Sequence, residues 1–578
     1  MPVTTSSLPL ALRLLVGLLT LTGSLCSAAT PLADKAPPTW NAFVTEFLNS
    51  HFAAHPEAGV QAGRHEFDGR ISDWSADALI NDIARLKTKR ATALAFSDDA
   101  LDAAQRFERD YLVAQISNQL FWLATADGPH TNPFFYADAL DPDVYVSRPY
   151  APLAVRLQAY TRYARSIPAA LEQIKANLHG TLAKPLVAIG RLTIGGLADF
   201  YEKDVSAVFA SVTDKALQND FQEANAAAIK AVRAFDAWLA EKEKTATADF
   251  ALGKDKFRAM LRETEGVDTS LAQLEEIGRK DLERNLTALK DACAIYAPGK
   301  SVEEAMALAY AHKPDGTVVQ YATKQLEELR QFVSDQDLMT IPGDEKALVA
   351  EAPAYKRWNF AYIMIPGPYE HGLPSVYYVA PADASWSKQK QDDYIPGIGS
   401  LLFTSSHEVW PGHFLQFLHA NRAQSEIGRV FVGYAFAEGW AHYSEELMWE
   451  AGLGKQSPEI HIGQLQEALL RNVRFISAIG LHTKGMTIEE SIKLFREKGC
   501  QDEANAEQQA RRGTFDPAYI NYTMGKLMIR KLRADWTATR GGRAAWKEFH
   551  DRFLSYGGPP IPLVRKAMLG AEDKGSLF

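Results

Sequence analysis

The sequence predicts a mainly α-helical protein with a small β-sheet at its edge. Three long segments, residues 76–123, 151–177 and 214–244, place apolar side chains at the three- and four-residue intervals of an amphipathic helix. Segments with the two-residue alternation of a strand are few. The first half of the chain is therefore expected to be helical, and strands are expected in one short region.

Capping boxes mark the starts of helices in the second half of the chain. In this pattern a Ser or Thr cap is followed three residues later by Glu or Gln, and each side chain bonds to the backbone of the other. Three such pairs occur: Ser270 with Gln273, Ser301 with Glu304, and Thr487 with Glu490. The first is followed by an apolar stripe of helical spacing, made of Leu271, Leu274, Ile277, Leu282, Leu286 and Leu289.

The clearest strand signal is the alternating segment from Ser375 to Val379, which lies between two prolines. No internal repeat, low-complexity tract or linker divides the sequence, so residues 30–578 are predicted to form a single helical domain. One interruption, at residues 366–368, offers an alternative division. It would separate an N-terminal helical half, residues 39–365, from a C-terminal half, residues 366–578, that carries the candidate site.

The first 29 residues have the features of an export signal. One positive charge, at Arg13, precedes an apolar run over residues 14–21, and small residues follow. The run is too short to span a bilayer. Leu25 stands before Cys26, where lipoprotein processing requires a small residue, so we predict simple cleavage after residue 28 or 29. The mature protein is then expected to be periplasmic or secreted, with no integral membrane segment.

Composition narrows the class of protein further. With 47% hydrophobic and 23% charged residues, the sequence matches a soluble globular protein. The 62 basic and 71 acidic residues give a net charge of −9, and no Lys/Arg run provides the basic field that binds nucleic acid. A nucleic-acid partner is therefore not expected. Beyond the signal only Cys293 and Cys500 remain, and the sequence leaves open whether they pair.

The segment from His407 to His413 contains the residue types of a hydrolytic zinc site. Such a site needs about three His or carboxylate ligands, an open position for water, and a nearby carboxylate that takes the proton of that water. We predict His407, His413 and Glu438 as ligands of Zn²⁺, and Glu408 as the general base. An isolated histidine is more often a packing or surface residue, but two histidines and two glutamates within 32 positions favour a site.

The spacing of the two histidines departs from the common H-E-x-x-H pattern, in which both lie on one helix face. Here Pro411 occupies the i+4 position, and His413 follows at i+6, roughly 120° away from His407 on a regular helix. Pro411 cannot donate a helical hydrogen bond, and Gly412 tolerates unusual backbone angles. A kink or break at these two residues is therefore expected to bring His413 back beside His407.

The second part of the site is expected on a helix that contains Glu438. His442 and Glu445 follow at i+4 and i+7, so the three side chains share one face. Polar groups behind metal ligands fix the orientation and basicity of those ligands, and His442 and Glu445 are suited to that role.

An alternative interpretation gives Glu408 a structural role in place of a catalytic one. Ser405 precedes Glu408 by three residues, so the pair could form a capping box at the start of a helix. The apolar positions Ile398, Leu401 and Leu402 favour a helix that has already begun upstream.

Residues further along the sequence can complete the site. We predict that Tyr522 donates its hydroxyl to the oxyanion of a tetrahedral intermediate, and that His482 does the same or binds substrate. A packing role is the alternative for both. Arg511 or Arg512 can hold a substrate carboxylate in a bidentate pair, or can be solvated.

Several motifs resemble those of the bacterial family called domain of unknown function 885. They are H-E-x-x-P-G-H at residues 407–413 and E-G-W-A at residues 438–441, supported by residues 56–69, 270–284, 480–485 and 512–527. The family is similar to zinc peptidases that use two histidines and a downstream glutamate. The resemblance implies a large helical metallopeptidase-like body with a deep central cleft. It also implies His407, His413 and Glu438 as ligands and Glu408 as base, whereas relatives often carry an apolar residue at the position of His442.

The resulting hypothesis is an exported zinc-dependent hydrolase, a metallopeptidase that cleaves peptide bonds by metal-activated water. Two alternatives remain open. One is a non-catalytic peptide-binding protein with the same helical cleft, and the other is a zinc amidohydrolase that acts on a non-peptide amide, which needs the same activation of water.

Overall fold

The computed structural model describes residues 39–578, apart from residues 354–355 and 358–359. The predicted signal at residues 1–29 lies outside the described residues. The described chain is mainly helical with one small sheet, which confirms the predicted fold class. Within this part of the chain, no helix combines the length and the apolar character needed to cross a membrane.

The helices of the N-terminal region surround a hydrophobic core drawn mainly from residues 40–239. The segment expected at residues 76–123 forms two helices, because the chain turns at residues 96–102. The two longest helices of this region pack against each other along the core. The helices are α1 (Trp40–Ala54), α2 (Pro56–Gln61), α3 (Ala76–Ala95), α4 (Ala103–Leu120), α5 (Gly128–Thr131), α6 (Asp143–Ser147), α7 (Leu153–Asn177), α8 (Lys184–Gly190), α9 (Gly196–Phe200), α10 (Ser206–Phe209) and α11 (Lys215–Glu243).

A second core, drawn mainly from residues 257–569, holds the C-terminal region together. The helices are α12 (Gly253–Glu265), α13 (Leu271–Tyr296), α14 (Val302–Ala311), α15 (Val318–Asp335), α16 (Lys388–Tyr394), α17 (Ile398–Glu408), α18 (His413–Ala420), α19 (Glu426–Val430), α20 (Tyr434–Glu450), α21 (Pro458–Thr483), α22 (Ile488–Glu497), α23 (Glu503–Phe515), α24 (Asn521–Thr537), α25 (Trp546–Leu554) and α26 (Ile561–Leu569). Helix α21 is buried over most of its length and packs against α13, α17 and α23. Helix α20 packs against α24.

The sheet contains three strands, β1 (Ala347–Glu351), β2 (Ala361–Met364) and β3 (Ser375–Val379). Strand β3, which the sequence predicted, lies in the centre, parallel to β1 and antiparallel to β2. Alternate residues of β3 are buried, and β2 contacts α17. The sheet therefore supports the helix that carries His407.

Local sequence signals place several elements correctly. Ser270, Ser301 and Thr487 each form the predicted capping box, with both hydrogen bonds present. Cys293 and Cys500 are free thiols. The second core takes residues from both sides of residue 366, and a division of the chain there stays a prediction about domains.

Candidate metal centre

The helical backbone is interrupted between α17 and α18, at the position that the sequence predicted. Helix α17 ends at Glu408, the peptide bond between Trp410 and Pro411 is cis, and α18 begins at His413. Gly412 lies so close to the end of α17 that a Cβ atom there would be 1.7 Å from the carbonyl oxygen of His407. The break brings the rings of His407 and His413 to a centroid separation of 4.8 Å.

Helix α20 brings Glu438 to the two histidines. It crosses α24 with backbone touching backbone, because Gly439 and Gly525 face each other: a Cβ atom on Gly439 would lie 2.5 Å from the Cα of Gly525. The indole nitrogen of Trp440 donates to the carbonyl oxygen of Pro411 at 2.8 Å. The position of Glu438 on α20 is thus fixed by two neighbouring contacts. One is the close crossing with α24, and the other is the hydrogen bond to the segment between α17 and α18.

The ligand atoms predicted from the sequence converge. Oε2 of Glu438 lies 3.3 Å from Nε2 of His407 and 3.4 Å from Nε2 of His413, and one ligand atom from each residue lies within 4.8 Å of the others. Ligands about 2.0–2.1 Å from a tetrahedral zinc ion are separated by about 3.3–3.4 Å. Oε2 of Glu438 is buried without a hydrogen-bond partner among the described residues, so this donor set fits a divalent metal ion.

The buried carboxylate of Glu445 lies behind the ring of His407 and fixes its orientation. Oε1 of Glu445 accepts a hydrogen bond of 2.7 Å from Nδ1 of His407, and Oε2 lies 3.2 Å from Nδ1 of His442. Protonation of Nδ1 leaves Nε2 of His407 with a free lone pair that faces Glu438. Burial alone would raise the pKa of Glu445, but Arg471 and His442 hold it well below its usual range. The position of Glu445 agrees with the supporting role predicted for it.

The electrostatics of His407 favour a cation at this point. Burial lowers the pKa of the imidazole, but the carboxylates of Glu438 and Glu445 outweigh this effect and raise it to about 9. Two carboxylates around one buried imidazole therefore stabilise positive charge, supplied by a proton or by a metal ion.

Glu408 lines the same cleft as His407, His413 and Glu438. Burial raises the pKa of its carboxyl group, against the opposing effect of His413 and His407. None of the described residues donates a hydrogen bond to this carboxylate, so it is free to hold a water molecule. Ser405 lies inside α17 and is fully buried, and its hydroxyl donates to Gln325 at 3.0 Å. The capping-box interpretation of Ser405 and Glu408 is therefore wrong.

The site opens into a cleft of about 1230 Å³ between the two cores. His407, Glu408, His413 and Glu438 line this cleft, together with residues of the N-terminal helices and the sheet. The lining residues from the N-terminal helices and the sheet include His51, Phe52, His55, Glu57, Trp74, Asn118, Trp122, Asp138, Asp141, Tyr362 and Ile363. A volume of this size accommodates a short peptide.

Tyr522 is brought to the site, and His482 is not. The ring of Tyr522 is nearly parallel to that of His407, with centroids 6.3 Å apart, and it lines the cleft. His482 is 2% exposed and does not line the cleft. Its Nε2 bonds to the carbonyl oxygen of Gly513 and its Nδ1 accepts from the amide of Leu252. With both nitrogens engaged by backbone, His482 joins helices, which corrects the oxyanion or substrate role inferred from the sequence.

The arginines near Tyr522 include one that the sequence suggested and two that it did not. Arg512 donates to Tyr522, whereas Arg511 is exposed and pairs with Glu507 at 2.6 Å. Arg471 and Arg474 were missed, although both are buried within α21. Two arginines three residues apart in the largely apolar stretch 468–481 were the available signal, because a buried guanidinium requires a polar partner or a function.

An ion cluster that contains His65 joins the N-terminal region to the segment between β2 and β3. The ring nitrogens of His65 lie 3.1 Å from Asp68 and 3.2 Å from Glu370, and its ring stacks on Tyr150. Burial lowers the pKa of His65, but the two carboxylates raise it to about 9. The contribution of this cluster to stability is therefore complete below about pH 6.5 and is lost as the pH rises through about 9.

We expect His65→Gln to lower the stability of the protein more at pH 6 than at pH 9.5, because the charged ring is present only at the lower pH. Urea unfolding midpoints of wild type and variant at both pH values measure the difference. The exposed His371 serves as the control, since His371→Gln leaves the cluster intact. An equal effect of His65→Gln at both pH values would contradict the assignment.

Fold and site together define a class: a mainly helical protein whose cleft contains a His-His-Glu centre suited to a divalent metal ion. The chain belongs to the family described as bacterial protein of unknown function (DUF885), whose profile matches residues 56–568. This match confirms the resemblance inferred from the motifs.

Two solved structures share the fold. One is a candidate lipoprotein of unknown function from Shewanella oneidensis, with a TM-score of 0.77, 23% identity, and coverage of 92% of this chain and 100% of that chain. The other is a candidate lipoprotein from Colwellia psychrerythraea, with a TM-score of 0.77, 17% identity, and coverage of 93% and 100%. An M32 carboxypeptidase from Deinococcus radiodurans R1 aligns over 86% of this chain and 95% of its own, at a TM-score of 0.34 and 12% identity, which does not establish a common fold. The comparison with curated proteins found no match.

Proposed function

We propose that this protein is an exported zinc-dependent metallopeptidase. The observation that carries the proposal is the convergence of His407, His413 and Glu438 in a cleft, beside the free carboxylate of Glu408. The residues that would hold the metal ion are these two histidines and Glu438. When bound, zinc supplies a Lewis acid that polarises the scissile carbonyl and lowers the pKa of a water molecule.

The side chains of the protein carry the proton transfers. Glu408 accepts a proton from the water that attacks the carbonyl carbon, and passes it to the amine nitrogen as the carbon–nitrogen bond breaks. Tyr522 donates its hydroxyl to the oxygen on which negative charge develops. Glu445 keeps His407 in the tautomer with a free Nε2. The remainder of the cleft would bind the peptide chain on either side of the cleaved bond.

Two further points support export. The N-terminal residues have the pattern of a signal peptide, and two proteins of the same fold are described as candidate lipoproteins. We propose a periplasmic or secreted location for the mature chain. Because Leu25 precedes Cys26 in this sequence, we propose cleavage without lipid attachment.

The proposal is tested by metal content together with peptide turnover. We expect the purified protein to contain about one zinc ion per chain, to hydrolyse members of a mixed peptide library, to lose turnover with a chelator and to regain it with zinc. Stoichiometric metal with peptide binding but no hydrolysis would favour the peptide-binding alternative. Turnover confined to non-peptide amides would favour the amidohydrolase.

Glu445 provides a further prediction about metal affinity. We expect Glu445→Gln to weaken zinc binding by about 10- to 100-fold, because loss of the carboxylate behind a histidine ligand lowers its basicity and frees its orientation. Competition with a chromophoric zinc chelator measures the dissociation constant. The exposed Glu497, which lies 3.8 Å from Lys493 on α22, provides the control Glu497→Gln. Equal zinc affinity in both variants would exclude the supporting role of Glu445.

A further inference from the structure

The hydroxyl of Tyr522 has one protein partner, and that partner can only donate. Nη2 of Arg512 lies 3.3 Å from Oη of Tyr522. A guanidinium group carries donors and no acceptor, so Oη of Tyr522 must accept this hydrogen bond. The phenolic proton then remains available, and none of the described residues accepts it. Because Tyr522 lines the cleft together with Glu408 and Glu438, the phenolic O–H can point into the cleft.

The donor is itself held in place. Nε of Arg512 donates to Oδ2 of Asp516 at 3.0 Å, and Nη2 donates to Oη of Tyr434 at 2.9 Å. Tyr434 gives its own proton to the same oxygen of Asp516, at 2.9 Å. Since Tyr434 lies one helical turn before Glu438 on α20, this network joins the tyrosine to the helix that carries a proposed ligand.

A second cation lies against the ring of the same tyrosine. The guanidinium carbon of Arg474 is 4.7 Å from the ring centroid of Tyr522, and that of Arg512 is 5.6 Å away. Arg474 is only 6% exposed and forms no ion pair with a carboxylate of the described residues; Nε of Arg474 donates to Gln509 at 2.9 Å. A buried cation without a carboxylate partner costs free energy. Its position is accounted for if negative charge develops beside Tyr522 during the reaction.

We propose that Arg512 is a positioning residue that turns the phenolic proton of Tyr522 into the cleft, with Arg474 as a second cation behind the ring. The inference rests on the proposed function, because the acceptor is the oxygen of a tetrahedral intermediate. Arg512 acts through Tyr522 and does not itself touch the substrate. Tyr522 without Arg512 keeps its hydroxyl but loses the constraint on the direction of its proton.

A double-mutant cycle separates this role from a purely structural one. We expect Tyr522→Phe to lower kcat about 100-fold, and Arg512→Gln to lower it about tenfold, with KM changed less than about twofold in both. In the Tyr522→Phe background, Arg512→Gln should cause no further loss. The neighbouring exposed Arg511 provides the control, and Arg511→Gln should leave kcat unchanged. Independent, additive losses from Arg512→Gln and Tyr522→Phe would overturn the proposal.

A binding measurement adds a readout that does not depend on turnover. A phosphinic peptide, with a tetrahedral anionic centre in place of the scissile carbonyl, should bind about tenfold more weakly to Arg512→Gln than to wild type. The same substitution should have no effect in the Tyr522→Phe background. Equal weakening in both backgrounds would overturn the role of Arg512 through Tyr522.

Neutron diffraction of the deuterium-exchanged protein tests the inference even if no peptide is hydrolysed. We expect the deuteron on Oη of Tyr522 to point into the cleft, away from Arg512. A deuteron directed at a protein acceptor would overturn the inference. Absence of turnover combined with a deuteron that points into the cleft would instead count against the peptidase proposal and leave the role of Arg512 supported.

Discussion

Glu408→Gln is expected to lower kcat about 1000-fold while zinc content stays near one ion per chain. The amide has nearly the shape of the carboxylate but cannot accept the proton of the attacking water, and a general base contributes about 10²- to 10⁴-fold to such reactions. Glu408 donates no ligand atom to the predicted centre, which consists of His407, His413 and Glu438. Peptide turnover and elemental analysis on the same preparation separate catalysis from metal binding.

The matched control for this substitution is Glu497→Gln, which makes the same chemical change on the exposed face of α22. It should retain full turnover. If Glu408→Gln also retains full turnover while it binds zinc, Glu408 is not the base. If Glu408→Gln loses zinc, the carboxylate belongs to the ligand set, and the assignment of Glu438 must be revised.

Gly439→Ala is expected to destabilise the protein by about 2 kcal/mol and to weaken zinc binding. Helix propensity alone would stabilise this substitution, because alanine is favoured over glycine inside a helix by about 1 kcal/mol. The steric contacts at this position outweigh that gain. A Cβ atom on Gly439 would lie 2.5 Å from the Cα of Gly525 and 3.0 Å from the amide nitrogen of Lys526. These contacts are with backbone, so no side-chain rotation relieves them, and overpacking of this kind costs about 1–3 kcal/mol or more. Separation of α20 from α24 moves Glu438 away from the histidines.

Gly196→Ala is the control for that experiment, because a Cβ atom on Gly196, at the start of α9, meets no atom within 4 Å. We expect this substitution to leave the protein as stable as wild type or slightly more stable. The midpoints of urea unfolding and the zinc dissociation constants of both variants provide the comparison. Wild-type stability and wild-type zinc affinity in Gly439→Ala would show that the close crossing does not position Glu438.

The sequence predicted the helix break and the meeting of His407 with His413 because the residues that cause them are local. Two histidines and a Pro-Gly pair within seven residues imply a broken helix, and the break occurs where Pro411 and Gly412 require it. Capping boxes such as Ser270 with Gln273 depend on residues within one turn, and they were confirmed for the same reason. Residue type and short spacing were sufficient for these features.

Features that depend on packing between distant helices were not predictable. The hydrogen bond from Arg512 to Tyr434 requires α23 to lie beside α20, and no periodicity encodes that arrangement. Arg474 reaches the same ring from α21. His482 shows the opposite error, because it was predicted to stabilise the oxyanion or bind substrate, whereas its ring is held by the backbone of Leu252 and Gly513.

The central claim is that His407, His413 and Glu438 form one zinc site, and anomalous X-ray diffraction at the zinc edge tests it most directly. Crystals of the zinc-loaded protein should show one peak about 2.0–2.2 Å from Nε2 of each histidine and from a carboxylate oxygen of Glu438. A strong peak at other residues, or no peak between these three side chains in protein that contains stoichiometric zinc, would contradict the account.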